Sequence, residues 1–460
     1  VIDKIEPATA SSRKQRQVEE TMDRRTFLVG GLGASLVPLM NRFAFAAGQP
    51  VTWWYESAAP DQQAAIAEIL VGGFNAAHPE YSLMVDYRGS ELDKQMRVAL
   101  LSGNGPDVVY TAGPSYVAPM ARAGQLLALD DYARKYGWNE RILPVFLEMG
   151  KYDGKLYAVP KTYETLGLFY NKAVLAKNGW KVPTTLAEME TLADEALKAK
   201  LVPFASGNAG WRGNNEHYVT IVFNSIAGPD NVYKALKGEL PWTAEPFVTA
   251  IDRLNSWWQK GYFGPDYFSL ETEQFFAQMA AGRSPMLPSG TWHFQYIQSY
   301  FKDNADDCGF VGFPSAENVG EPVYALGVGS TLSIAAASQN PDGAAAAIDY
   351  VFSPEFYSKM NSVWQGEWNT PLEDLSMVKI SSDVPALYAE SMKTLADAVG
   401  DNKYGYTSWT FLPPATNTQL INGIEEVWLG RATVADYLAQ IDAAFREELA
   451  DGKVPAVPAR

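Results

Sequence analysis

Residues Lys151–Pro183 read KYDGKLYAVPKTYETLGLFYNKAVLAKNGWKVP. Two strand-like runs, Leu156–Val159 and Leu166–Tyr170, flank Pro160–Thr165, and Asn171 opens a short helix. Tyr163 and Glu164 stand just before the second run, where a side chain can face a crevice. A ring beside a carboxylate suits a neutral polyhydroxylated ligand, because the ring face packs on C–H surface and the carboxylate accepts hydroxyl hydrogen bonds.

The pattern around this segment predicts an α/β chain. Strands at Val51–Tyr55, Tyr81–Tyr87 and Asp107–Tyr110 alternate with helices at Pro60–Ala77 and Glu91–Leu101, and Thr185-x-x-Glu188 is a capping box before a helix at Leu186–Ala199. Such alternation predicts mostly parallel sheets. The later chain is more helical, at Pro246–Lys260, Glu271–Ala281, Trp292–Phe301, Asp342–Phe352, Pro385–Val399, Ala415–Leu429 and Thr433–Leu449. One strand pair, Gly309–Phe313 with Thr331–Ala335, interrupts it. A chain that crosses two or more times between two lobes accounts for this order and places a cleft between them. The expected division is 47–161 and 326–365 in one lobe, 162–325 and 366–460 in the other.

Residues 1–46 read as an extension and an export signal. Asp23-Arg24-Arg25-Thr26-Phe27-Leu28 is a twin-arginine pattern, Val29–Met40 is an apolar run too short for a comfortable membrane span, and Ala44-Phe45-Ala46 fits a cleavage site. Cleavage there predicts a periplasmic protein. Its removal takes away seven Lys/Arg and five Asp/Glu, leaves 414 residues, and moves the formal charge from −16 to −18. That length exceeds one ordinary core, and the acidity argues against nucleic acid and anionic membranes as partners. The only cysteine, Cys308, allows no internal disulfide.

His78, His217 and His293 are widely spaced and carry no metal-ligand pattern. No nucleophile elbow, phosphate loop or dinucleotide fingerprint follows a strand, so neither cofactor nor catalysis is expected. Aromatics in turn-like places are instead abundant. Trp53-Trp54-Tyr55-Glu56 ends the first strand, Trp211 and Arg212 lie in a polar loop, and Trp292 follows Pro288-Ser289-Gly290-Thr291. Trp364-Gln365-Gly366-Glu367-Trp368 and Tyr406-Thr407-Ser408-Trp409 are further examples. Sugar sites combine flat apolar faces with planar polar groups. Tyr55, Trp211, Trp292, Trp368 and Trp409 are candidate faces; Glu56, Glu164, Arg212 and Glu91 are candidate hydrogen-bonding groups. A helix N-terminal charge accounts equally for Glu91, as a surface salt bridge does for Arg212.

Ser102-Gly103-Asn104-Gly105-Pro106-Asp107-Val108-Val109, Asp153-Gly154-Lys155-Leu156-Tyr157-Ala158-Val159-Pro160, Phe169-Tyr170-Asn171-Lys172, Met279–Met286 leading to Gly290-Thr291-Trp292, and Gly327-Val328-Gly329-Ser330 occur in one order and spacing. Together they resemble the extracellular solute-binding proteins of ABC transporters, the carbohydrate-binding group related to maltose-binding protein. The resemblance covers about Val51 to Leu449. It implies a two-lobed periplasmic-binding-protein fold (type II), with a ligand cleft between lobes joined by hinge segments. It also implies Glu164 as a sugar ligand, Trp292 as a stacking face, contacts near Thr111 and Gly329, and looser contacts at Tyr55 and Glu56. Where the family commonly has an aspartate after the third strand, this chain has Gly113-Pro114, which leaves the sugar orientation open.

The expected function is delivery of a carbohydrate, a disaccharide or short oligosaccharide, to inner-membrane ABC permease subunits by a monomeric binding protein without a cofactor. A polyol, glycerol phosphoester or polyamine is an alternative ligand. A secreted glycoside hydrolase is an alternative class, needing two carboxylates about 5–10 Å apart across one bond.

Overall fold

In the computed structural model, which describes residues 48–209 and 213–459, the strand Val159–Asn171 runs unbroken through the segment expected to separate two strands. Pro160 does not end it. Its register with the antiparallel strand Tyr324–Ile334 shifts between Pro160 and Thr162 and again between Thr162 and Tyr163. Such an irregularity accommodates a residue that cannot donate to the ladder. Asn171 then caps the helix Lys172–Asn178, its side chain accepting from Val174 N.

These two long strands pass from one hydrophobic core to another. Val159, Leu332 and Ile334 pack in a first core with Val51, Trp53 and Leu83. Tyr163, Leu166, Leu326 and Val328 pack in a second core with Phe204, Trp242 and Trp257. The result is two lobes joined by hinge strands. In the first lobe, Gln49–Tyr55 pairs in parallel with Tyr81–Tyr87 and Val108–Thr111. In the second, Met286–Gly290 and Cys308–Val311 lie antiparallel to the far half of Val159–Asn171. Tyr404–Tyr406 lies parallel to Tyr324–Leu326.

Parallel pairing therefore does not dominate as the alternation predicted, because both hinge strands run against most of their neighbours. The expected partnership of Gly309–Phe313 with Thr331–Ala335 is also replaced. Cys308–Val311 pairs with Leu168–Asn171, and Thr331–Ile334 with Val108–Thr111. The second crossing falls near Gly329–Thr331 rather than at 325/326. The third lies beyond Leu372, not at 365/366, because Trp364, Trp368 and Leu372 still pack in the first core. The segment leading to the third crossing runs beside the first, where Tyr163 N donates to Asn369 O at 2.9 Å.

Local signals hold elsewhere. Thr185 and Glu188 form the reciprocal capping box before Leu186–Lys198. Trp257 is buried with its indole N–H on Glu190 Oε1 at 2.8 Å, and Trp258 stacks on Trp428 at 4.7 Å. Among the described residues no helix is long and apolar enough to cross a membrane. The twin-arginine pattern and cleavage site lie outside the described residues.

Candidate functional site

The first-lobe wall of the cleft begins where its parallel strands end, the usual place for a ligand in an α/β sheet. Glu56, just past the first strand, is half-buried and accepts the Tyr110 hydroxyl hydrogen at 2.8 Å. Its neighbour Tyr55 points the other way, as alternation along a strand requires. Tyr55 is fully buried, stacked on Trp368 at 5.7 Å with rings 8° apart, and its hydroxyl donates to Glu367 Oε1 at 3.1 Å. Tyr55 and Trp368 are thus packing residues, contrary to expectation, each ring being taken up by core neighbours. Thr111 is equally committed: its buried hydroxyl donates to Gly113 O at 3.1 Å and shares a hydrogen with Thr331 at 2.6 Å.

Glu91 is exposed and pairs with Lys94 at 3.3 Å at the start of the helix Leu92–Leu101, so the helix-terminal reading holds. Asp93, two residues on, is the acid facing inward. Burial raises its pKa, and its charge is felt at both Glu56 and Tyr116. Trp211 and Arg212 lie outside the described residues.

Sequence reading missed Lys161. Its side chain is fully buried inside the hinge strand, and Nζ donates to Glu367 O at 2.9 Å and Oε1 at 2.8 Å. The ammonium sits 3.9 Å from the centre of the Trp368 ring, a cation–π contact that offsets part of its desolvation. A lysine in a run of buried strand residues, with an acid between the tryptophans of Trp364–Trp368, was the available signal.

Glu164 lies three residues further along, at the mouth of the second lobe, and is 7% exposed. Gly329 on the opposing hinge strand lies against its carboxylate, so that a methyl group there would collide with it. Trp292 enters from the end of the strand Met286–Gly290, where a loop had been expected, and Gly290 leaves room for its ring. Trp292 is half-buried, 4.8 Å from the His217 ring and 5.9 Å edge-to-face from Trp409. Trp409 is 8% exposed, and its indole N–H has no hydrogen-bond partner of ordinary geometry. It is close enough to Glu164 to favour that carboxylate.

The lobes touch around this cluster. Gln62 Nε2 of the first lobe donates to Gln295 Oε1 of the second at 2.7 Å, and Ser115 Oγ donates to Trp409 O at 3.1 Å. Gly113 has φ of 118°, and a side chain there would lie 3.1 Å from both Trp409 O and Val328 O. The same contact that seats Trp409 accounts for the glycine where an aspartate is common.

The model for bacterial extracellular solute-binding proteins matches residues 56–357, more than half of the chain. The chain belongs to this family. A probable sugar-binding periplasmic protein of Rhizobium meliloti is 33% identical over 125 residues, 27% of this chain and 30% of that protein. Another, of Brucella suis, is 28% identical over 211 residues, 44% of this chain and 48% of that protein. The chain therefore spans about a third to a half of the length of these curated relatives. The solved structure of a chitin oligosaccharide binding protein superposes with a TM-score of 0.75 at 21% identity, covering 88% of this chain and 99% of that one. This likeness shows the two-lobed fold.

In this solute-binding protein the acids around the cleft are buried. Burial, with help from Glu367 and Glu56, pushes the Glu164 carboxyl up to about 8 against the opposing influence of Trp409 and Lys161. Burial and Glu367 push Glu56 up to about 7, against Tyr110 and Lys161. On the second-lobe helix Gly213–Val222, burial raises Glu216 to about 7, although the Ser408 hydroxyl donates to it at 2.9 Å. Burial lowers His217 to about 3, so its ring is neutral and serves as an aromatic neighbour for Trp292. Glu216 and His217 went unnamed among the sequence candidates because every residue of their helix is buried, which erases the amphipathic pattern that marks a face. Among the described residues no cluster of three or more His, Cys, Asp or Glu is arranged to hold a metal ion.

Proposed function

We propose that this is the periplasmic substrate-binding component of an ABC importer. It captures a carbohydrate, a disaccharide or short oligosaccharide, between its lobes and delivers it to inner-membrane permease subunits. What supports the reading is the ring pair Trp292 and Trp409 beside Glu164 on the second lobe, with Glu56 at the end of the first-lobe strand. Rings and carboxyls in that arrangement suit pyranose faces and hydroxyls. The names of the relatives, sugar-binding periplasmic proteins among them, support the same ligand class and the same compartment.

The mechanism is a population shift. A ligand that touches both walls does so only when they are together, so its binding free energy favours the closed state. Trp292 and Trp409 supply faces, Glu164 and Glu56 orient hydroxyls, and the hinge strands carry the motion. No bond is made or broken. Thermal denaturation of the cleaved protein against a panel of mono- and oligosaccharides checks this. One narrow group of sugars stabilises it by about 2.7 kcal/mol at a hundredfold excess over Kd, and chromatography recovers the sugar unchanged. Hydrolysed sugar would establish the glycosidase reading instead, and a panel without effect would overturn the carbohydrate assignment.

A further inference from the structure

The turn that carries Trp292 is fixed from both lobes. Within its own lobe, Ser289 Oγ lies 3.0 Å from His293 Nδ1, and Thr165 N donates to Thr291 Oγ1 at 3.4 Å. From the first lobe, Gly366, with φ of 92°, lies against Thr291 O and the Trp292 backbone, so that a side chain there would collide with the turn. The other first-lobe contact is a run of two side-chain amides. Gln62 stands in the helix Pro60–Ala65, and its Oε1 accepts Ala59 N at 2.7 Å. Its Nε2 donates to Gln295 Oε1 at 2.7 Å, and Gln295 Nε2 donates to Trp292 O at 2.8 Å. Both glutamines are half-buried. Each amide is used at both ends, so turning either one over sets donor against donor and acceptor against acceptor. The order of the bonds is thereby fixed from the first-lobe backbone at Ala59 to the second-lobe backbone at Trp292.

We propose that Gln62 and Gln295 are positioning residues for sugar binding. When the lobes come together, the first lobe fixes the backbone of Trp292 through the two amides, and so fixes the plane on which a sugar ring packs. This deepens the carbohydrate reading and rests on it. The middle bond joins different lobes, so it exists only while they are in contact. A stacking face that the opposite wall holds in place is complete only in the closed state, which couples closure to stacking. Neither glutamine touches the sugar in this account; both act through Trp292.

Two variants of nearly unchanged shape test this. Gln62→Glu still accepts Ala59 N, and a carboxylate suits the first turn of a helix, but it has no hydrogen for Gln295. Gln295→Glu still accepts from Gln62 but has none for Trp292 O. Calorimetry uses maltose, trehalose, sucrose, lactose, cellobiose and xylobiose as probes, with spermidine and glycerol 3-phosphate alongside. Each variant weakens the sugar that the parent binds by roughly threefold to tenfold, the loss of one neutral hydrogen bond. The ligand-free melting temperature stays that of the parent. In a Trp292→Ala background Gln295→Glu weakens binding no further, because it acts through that ring. Parent-like affinity in Gln295→Glu overturns the proposal, as does a loss that persists in full without the Trp292 ring. A loss matched by a lower ligand-free melting temperature assigns the glutamines to folding and overturns it too; in all three cases the carbohydrate reading stands. If spermidine or glycerol 3-phosphate binds and every sugar fails, the carbohydrate reading falls and takes the sugar-positioning role with it. If nothing in the panel binds, both fall.

Discussion

At the scale of single residues, side chains of one type take opposite roles according to the direction in which the backbone delivers them. Trp292 and Trp368 were both tryptophans in glycine-containing turns. Trp292 is half-buried beside His217 and Trp409, whereas Trp368 is sealed against Tyr55 and under Lys161. Trp292→Ala is expected to weaken sugar binding by roughly tenfold, about 1.4 kcal/mol, with the protein still folded, as measured by titration calorimetry and circular dichroism. Undiminished affinity would remove Trp292 from the site. Glu164 was legible because an acid preceded a strand, and Glu91 was misplaced by two residues relative to Asp93. Helical spacing alone does not tell which turn of the helix Leu92–Leu101 meets the opposite wall.

At the scale of elements, an ion pair with a fully buried lysine ties the first hinge crossing to the first-lobe segment around Glu367. Lys161 on the first crossing holds both the backbone and the side chain of Glu367, in the first-lobe segment that leads to the third, and Thr162 also donates to Glu367 O. Removing one partner of such a pair leaves the other charge uncompensated. Lys161→Met is therefore expected to lower unfolding stability by about 2–4 kcal/mol, and adding Glu367→Gln recovers most of it. Chemical denaturation measures both, and a neutral single variant would show that the pair holds nothing. The helices and the Thr185–Glu188 capping box were readable because capping and periodicity are local. The continuity of Val159–Asn171 was not, since Pro160 reads as a break until a partner strand absorbs it with a register shift.

At the scale of the whole molecule, the buried acids set a pH dependence. Glu56, Glu164 and Glu216 would ionise near 4.5 as free glutamate side chains, but burial pushes them up to about 7, 8 and 7 in the fold. Between those values the folded protein keeps protons that the unfolded chain has released. Their contribution to stability is therefore present below pH 4.5 and is lost as pH rises toward 8. Glu164→Gln, compared with the parent by thermal denaturation, should gain relative stability between about pH 5 and about pH 8, on the order of 1 kcal/mol or more. A pH-independent difference would mean that Glu164 titrates as an exposed carboxylate. The sequence by itself determined the α/β class, most of the elements, the family and the positions of Glu56, Glu164, Trp292 and Trp409 as candidates, because periodicity, caps and ordered motifs are written in local order. Only the tertiary structure decided that Tyr55, Thr111 and Trp368 are occupied by packing, that Lys161 and Glu367 tie the hinge, and that Glu216 and His217 join the wall. Those roles depend on contacts between residues as many as 312 positions apart, such as Tyr55 with Glu367, and no local pattern encodes which buried face meets which.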